Sequence, residues 1–316
     1  MPPGILLVPG TPSADQPAGP GCLPVPFPSG CPHPNLNKTA EAIVHLLIPV
    51  TQRYPFLISV PHGGTEVPDS IRPRLLLSDE DLRYYCDPET RVIFGYQDRV
   101  AAYIDTTVSR MVVDLNRPPL PLPPRDPDGI IKTRAIDGRD VYRPGQVPDM
   151  PLIHNLLMAH YFPYHQQVDE LIDRNRIRMA FDCHSMLPYG SENQKDTGKI
   201  RPLICLGNNG DHKGRARRGS IATCSGEWIA VLAGIFEEEF PQENAVVLND
   251  PFSGGFIANA HFWHKGVPWI QIEVNRALYE QAPLSRGHDN DVPERATALR
   301  EKIWKVLTGF WDRVRD

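Results

Sequence analysis

Two histidines in this chain follow directly on apolar, β-prone runs. His62 closes Ile58-Ser59-Val60-Pro61 and opens onto Gly63-Gly64, and His184 follows Met179-Ala180-Phe181-Asp182-Cys183. Two neutral imidazoles and one carboxylate, with a fourth position left open, are the donor set of a catalytic zinc site. Asp182, two residues before His184, is placed to act as the partner that orients its ring. Either histidine alone is as well explained by a satisfied turn residue; the pair, at equivalent strand ends, points to a metal. Three acids are open as the third ligand: Glu66, four residues after His62, and Asp87 and Glu89 in Cys86-Asp87-Pro88-Glu89-Thr90. Glu66 also fits a solvated loop, and Asp87 a helix N-cap.

Other residue types extend this chemistry. Glu273 lies inside Ile270-Gln271-Ile272-Glu273-Val274, where burying a bare carboxylate is costly, so it needs a partner or a role. Beside a metal it would serve as general base; otherwise Arg276 or Arg117 would pair with it. Asn116-Arg117 offers a two-pronged grip on a carboxylate, or else Arg117 anchors the loop that follows. Arg276 is a further basic group for an acidic substrate. Ser253-Gly254-Gly255 is a glycine turn that lets a backbone approach a ligand closely, without the spacing of a nucleotide fingerprint. His261 and His264, beside Phe262 and Trp263, read as packed or exposed structural histidines.

These groups need a scaffold that brings distant strand ends together. The apolar patterning predicts strands at Glu41–Pro49, Phe56–Val60, Met111–Leu115, Met179–Cys183, Pro202–Leu206, Val246–Leu248 and Trp269–Val274. Helices are expected from a Ser78/Asp81 cap to about Tyr85, over Glu89–Ile104, over Leu152–Arg178 with a kink at Pro163, over Gly226–Phe240 and over Pro293–Val314. Alternating strands and helices favour an α/β fold: a central, mostly parallel sheet with helices on both faces. The carboxyl ends of parallel strands share one edge, where sites are built. Residues 1–40, rich in Pro and Gly, read as an irregular arm, and residues 41–316 as a single α/β domain. The proline-rich stretch 118–150 is an unusually long loop, of the kind that covers a site.

Composition narrows the function classes. The 316 residues carry a formal charge of −5 and a pI near 6.1, which argues against a nucleic-acid binder. No apolar run approaches the roughly 18 residues of a membrane span, and the first residues lack a signal-peptide pattern. Six scattered cysteines without a C-x-x-C pair suit reduced thiols and a cytoplasmic setting.

Five motifs, Val60-Pro61-His62-Gly63-Gly64, Asp114-Leu115-Asn116-Arg117-Pro118, Asp182-Cys183-His184-Ser185, Ser253-Gly254-Gly255 and Gln271-Ile272-Glu273, occur in an order that resembles N-formylglutamate amidohydrolases over roughly residues 55–280. The resemblance implies a central mixed sheet of the zinc-exopeptidase (phosphorylase/hydrolase-like) kind, similar to zinc carboxypeptidases and aspartoacylases, with one zinc at the strand ends. It also implies His62 and His184 as ligands, Glu273 as the catalytic carboxylate and Asn116-Arg117 as the carboxylate-binding pair. The carboxypeptidase-like ligand motif is His-x-x-Glu, whereas Thr65 stands here and Glu66 comes one later. The family's acidic cluster matches Asp87-Pro88-Glu89, which favours Asp87 as third ligand, and a tryptophan usual nearby is Thr90 here. The implied reaction is zinc-dependent hydrolysis of an N-acyl acidic amino acid, N-formyl-L-glutamate by resemblance. A deacylase or carboxypeptidase for another N-acyl amino acid or short peptide keeps the same site, and a non-catalytic binding protein is the reading from another class. Gly63 and Gly64 are then expected to keep the space beside the metal free of side chains.

Overall fold

The structure is a computed structural model that describes residues 53–281 and 291–315. The expected arm at 1–40 and strand at Glu41–Pro49 lie outside the described residues. In chain order the elements are β1 (Tyr54–Val60), α1 (Asp79–Tyr85), α2 (Thr90–Ile93), β2 (Val100–Asp105), α3 (Met150–Leu156), α4 (Phe162–Arg174), β3 (Met179–Met186), β4 (Ile204–Gly207), α5 (Gly226–Glu239), β5 (Val246–Leu248), α6 (Phe256–Lys265), β6 (Trp269–Asn275) and α7 (Val292–Val314). Six strands form one sheet in the order β2-β1-β3-β6-β4-β5. Every pairing is parallel except β4 with β6, so the sheet is mixed and mostly parallel, as expected.

Side chains alternate across the pleat, and the two faces carry different sequences. Phe56, Ile58 and Val60 of β1, Phe181 and Cys183 of β3, and Ile270, Ile272 and Val274 of β6 pack on one face with α5 and α7. Leu57, Ala180 and Trp269 start the other face, against Val168 and Ile172 of α4 and Ala258 of α6. Along that second face the composition changes toward the carboxyl ends. The row after Leu57, Ala180 and Trp269 is Ser59, Asp182 and Gln271, and the row after that places His184 beside Glu273.

Two expected elements differ. The helix over Glu89–Ile104 stops at Ile93, where Gly95 ends the turn, and Val100–Asp105 becomes edge strand β2. Val100, Ala102 and Ile104 are the buried positions, a period of two hidden within a set that also satisfied helical spacing. Met111–Leu115 is no strand. The backbone N–H groups of Val112 and Val113 donate to Ser109 and that of Asp114 to Ile130, while Met111, Val112, Val113 and Leu115 are all buried. A fully apolar run reports burial, not conformation.

Elsewhere local chemistry explains local shape. Ser78 and Asp81 form a reciprocal capping box at the start of α1. A π turn at Leu157–Tyr161 joins α3 to α4 just before Pro163, which lacks the N–H that a regular turn would use. Helix α6, carrying His261 and His264, was not anticipated from the sequence. Among the described residues no helix is long and apolar enough to cross a membrane, and Cys86, Cys183, Cys205 and Cys224 are free and buried.

Candidate active site

His62 sits in the turn after β1 and His184 near the end of β3, with ring centroids 4.7 Å apart. Asp87 reaches them from the loop between α1 and α2: its Oδ2 lies 3.0 Å from His184 Nδ1 and 3.5 Å from His62 Nδ1. One donor atom from each of His62, Asp87 and His184 lies within 4.8 Å of the others, and all three residues are buried. The opposite ring nitrogens are already engaged. His62 Nε2 lies 2.7 Å from Asp114 Oδ1 and His184 Nε2 lies 3.0 Å from Asp182 Oδ2. Carboxylates on both Nε2 atoms favour the tautomer with the proton there, which directs both Nδ1 lone pairs inward.

This geometry fits a divalent zinc. His62 Nδ1 is buried without a hydrogen-bond partner, an expense that a metal bond would remove. Two nitrogens and one carboxylate oxygen match zinc's donor preferences and leave a coordination position open. Glu66 and Glu89 point elsewhere: Glu66 accepts from Thr107 Oγ1 and Glu89 from Arg83. Glu89, not Asp87, holds the N-cap position of α2, in a left-handed conformation.

The carboxylates around the triad fall into two electrostatic groups. Burial alone would raise the Asp87 carboxyl, but the neighbouring His184 and His62 rings, together with the Arg110 guanidinium, hold it far below the usual range. Burial is likewise overturned at Asp114, where Lys132 and Arg110 keep the carboxyl well below its ordinary value. Asp114 accepts at both oxygens, from His62 and the Asn116 N–H at Oδ1 and from Arg110 and Lys132 at Oδ2. Glu273 is different. No arginine or lysine pairs with it, and burial pushes its carboxyl up to about 7 against the opposing effect of His184. Its Oε1 accepts from Gln271 Nε2 at 2.6 Å. For His184, burial disfavours the imidazolium, yet Asp182 and Asp87 raise it well above the ordinary histidine value.

These residues open into a cavity of about 610 Å³, which Arg110, Asn116, Arg117, Gly254, Gly255 and Arg276 also line. Asn116 arrives on a turn, not at a strand end. Its Nδ2 donates to Asp182 Oδ2 and its Oδ1 accepts from the Ile257 N–H, so the carboxamide braces Asp182 against the start of α6. Arg117 donates to the backbone and carboxylate of Asp128 and to the Asn116 carbonyl. Arg276 donates to Glu280 and to the Tyr84 carbonyl.

Glycine roles are mostly steric. A Cβ on Gly255 would collide with the Asn116 carboxamide, one on Gly64 with the Thr107 backbone, and one on Gly63 would come 2.5 Å from Arg91 Cγ. Gly63 and Gly64 therefore let the His62 turn pack against α2 and the 106–107 backbone; they do not clear space beside the triad as expected. Gly254, at φ 137°, needs glycine for its backbone. His261 is not in the site: it pairs with Asp169 and His165 under α6.

Sequence reasoning gave no role to Arg110, Asp114 or Lys132. Asp114 stood in a recognised motif, but Lys132 lies in the proline-rich loop and carries no local signal. The sequence profile described as N-formylglutamate amidohydrolase matches residues 54–280. The chain belongs to this family. N-formylglutamate amidohydrolase relatives include proteins named N-formylglutamate deformylase from Pseudomonas aeruginosa, 28% identical over 83% of this chain and 96% of that protein, and from Pseudomonas putida, 27% identical over 82% and 94%. The crystal structure of an N-formylglutamate amidohydrolase from Ralstonia eutropha JMP134 shares the fold at a TM-score of 0.60 and 21% identity, covering 81% of this chain and 95% of that one.

Proposed function

We propose that this chain is a zinc-dependent amidohydrolase that cleaves N-formyl-L-glutamate to formate and glutamate. The observation that carries the reading is the convergence of His62, Asp87 and His184 beside Glu273 in one cavity. The names of the Pseudomonas relatives support the substrate. His62, Asp87 and His184 would hold the zinc, and bound there it would supply Lewis-acid polarisation of an acyl carbonyl and a lowered pKa for water.

The chain's own residues do the rest. Glu273 takes a proton from the attacking water as the C–O bond forms, and delivers it to the nitrogen as the C–N bond breaks. A carboxyl lifted to about 7 suits both halves of that transfer near neutral pH. Asp114 and Asp182 keep the two imidazoles in the tautomer that leaves Nδ1 free. Arg117 and Arg276 bind the carboxylates of the acidic substrate; six basic side chains line the cavity against three acidic ones, so an anion is favoured. Holding the substrate this way lays its amide against Glu273.

The test pairs metal analysis of the purified protein with formate release from N-formyl-L-glutamate by wild type and Glu273→Gln. About one zinc per chain and a loss of kcat of roughly 100-fold or more in the variant are expected. Full hydrolysis by zinc-free protein, or by the variant, would overturn the mechanism.

A further inference from the structure

We propose that Gln271 is a positioning residue for the reaction, holding the Glu273 carboxylate by one oxygen so that the other faces the cavity. This rests on the reading of Glu273 as the base. Gln271 and Glu273 are two apart on β6 and point to the same face, and Gln271 Nε2 donates to Glu273 Oε1 at 2.6 Å. Among the described residues Glu273 Oε2 has no hydrogen-bond partner, and both residues line the cavity.

Three features separate this from ordinary core packing. First, the contact is intramolecular within one strand, so the rigid central strand fixes the approach of the base; no loop is involved. Second, Gln271 Oε1 is buried without a hydrogen-bond partner. A leucine of similar size would avoid an orphaned carbonyl; the carboxamide is explained by what its N–H does. Third, the donor is neutral. At Asp87 the donor is a guanidinium, whose charge favours the carboxylate form. A lysine or arginine at 271 would do the same to Glu273 and leave it a poor proton acceptor. A carboxamide orients the oxygen without placing a charge beside it. On β4, Gly207 beside Gln271 has no side chain, and the thiol of Cys205 beside Glu273 donates to the Asp250 and Phe252 carbonyls, so neither replaces the Gln271 N–H.

The experiment compares Gln271→Leu and the better volume match Gln271→Met with wild type, and repeats each change in the Glu273→Gln background. With zinc content unchanged, kcat should fall about tenfold or more while KM stays within about twofold. In the Glu273→Gln background the same substitutions should cost nothing further. Equal losses in both backgrounds, or no loss in wild type, would overturn the proposal. A readout independent of turnover is the carboxylate stretch of Glu273 at alkaline pH, taken from isotope-edited infrared difference spectra against Glu273→Gln. The band should move when the Gln271 hydrogen bond is removed, and an unmoved band rejects the contact. If wild type releases no formate, the proposed function fails, and the band still decides the role of Gln271.

Discussion

Asp114→Asn keeps the shape of a buried side chain and removes one charge, which makes it a sharp probe of how the site is held. Asp114 is fully buried and serves four donors. Oδ1 faces His62 Nε2 at 2.7 Å and the Asn116 N–H at 2.9 Å; Oδ2 faces Arg110 at 3.0 Å and Lys132 at 2.9 Å. Asparagine can keep only one of these sides. With its oxygen toward His62, its NH₂ points at two cations. With its oxygen toward Arg110 and Lys132, its NH₂ points at His62 Nε2, which must then give up its proton and accept. Facing two cations with a donor costs more than retuning one neutral ring, so the second arrangement wins. His62 then carries its proton on Nδ1, the atom that the metal requires.

The expected result is a folded protein with weak metal binding. Loss of an orienting partner typically costs 10–100-fold in affinity, about 1.4–2.7 kcal/mol; the forced tautomer places this variant at the upper end. Breaking a buried ion cluster adds roughly 3 kcal/mol of instability, tempered because Arg110 keeps Asp87 and Lys132 keeps Asp128. Chelator competition measures the zinc affinity, thermal melts the stability, and ¹⁵N correlation spectra of labelled histidine the tautomer. Zinc affinity within about twofold of wild type, with His62 still protonated at Nε2, would refute the reasoning.

Gly255→Ala has no backbone conformation to fight, but its Cβ collides with the Asn116 carboxamide; a loss of about 1–3 kcal/mol is expected by thermal melt, with kcat/KM falling as Asp182 loses its brace. Zinc must displace the proton that Asp182 and Asp87 favour on His184, so affinity should rise by about tenfold per pH unit until the imidazole is neutral; a pH-independent affinity in chelator titrations contradicts this. Asp128→Asn frees the Arg117 fork from its loop carboxylate, and a lower KM for an acidic N-acyl substrate is expected with little change in kcat; an unchanged or higher KM means that Arg117 serves the loop alone. Glu273 must be ionised to accept a proton, so kcat/KM should fall as pH drops through its pKa; from about 7 in the metal-free protein, a bound cation can only move this limb down, and a limb above that value would contradict the assignment of the base.

The parts of this arrangement that could be read in advance share a physical basis. His62, His184 and Glu273 interrupt buried runs, and a polar group in an apolar run stands out in any sequence. Asp182 and Gln271 stand out for the same reason, two positions earlier on the same face. What could not be read is set by contacts without sequence period. Lys132 reaches Asp114 from a proline-rich loop, and Arg110 joins Asp87 to Asp114 from a single turn that the apolar residues around it disguised as a strand. The glycines after His62 were legible as a tight turn but not in purpose, because what they approach lies further along the chain, at the Arg91 side chain and the Thr107 backbone.

The proposed division between ligand and base rests on which charges the fold brings near each carboxylate. Asp87, Asp114 and Glu273 are all buried carboxyls, and burial alone would push each of them up. Arg110 bridges the first two and Lys132 adds to the second, so both remain anionic: one is fit to bind a cation, the other to hold an imidazole N–H. Neither cation pairs with Glu273, whose strand neighbours are His184 and Cys205 and whose nearest donor is a neutral amide. Its proton affinity therefore stays near that of water-handling groups at neutral pH. The same reasoning forbids exchanging the roles. A base at position 87 would be held too acidic by Arg110 and two histidines, and a ligand at 273 would need a proton removed against burial without the paired arginine that assists Asp87. On the proposed reading, the arginine on one side of the triad and the carboxamide on the other suit one acid to be a ligand and the other a base.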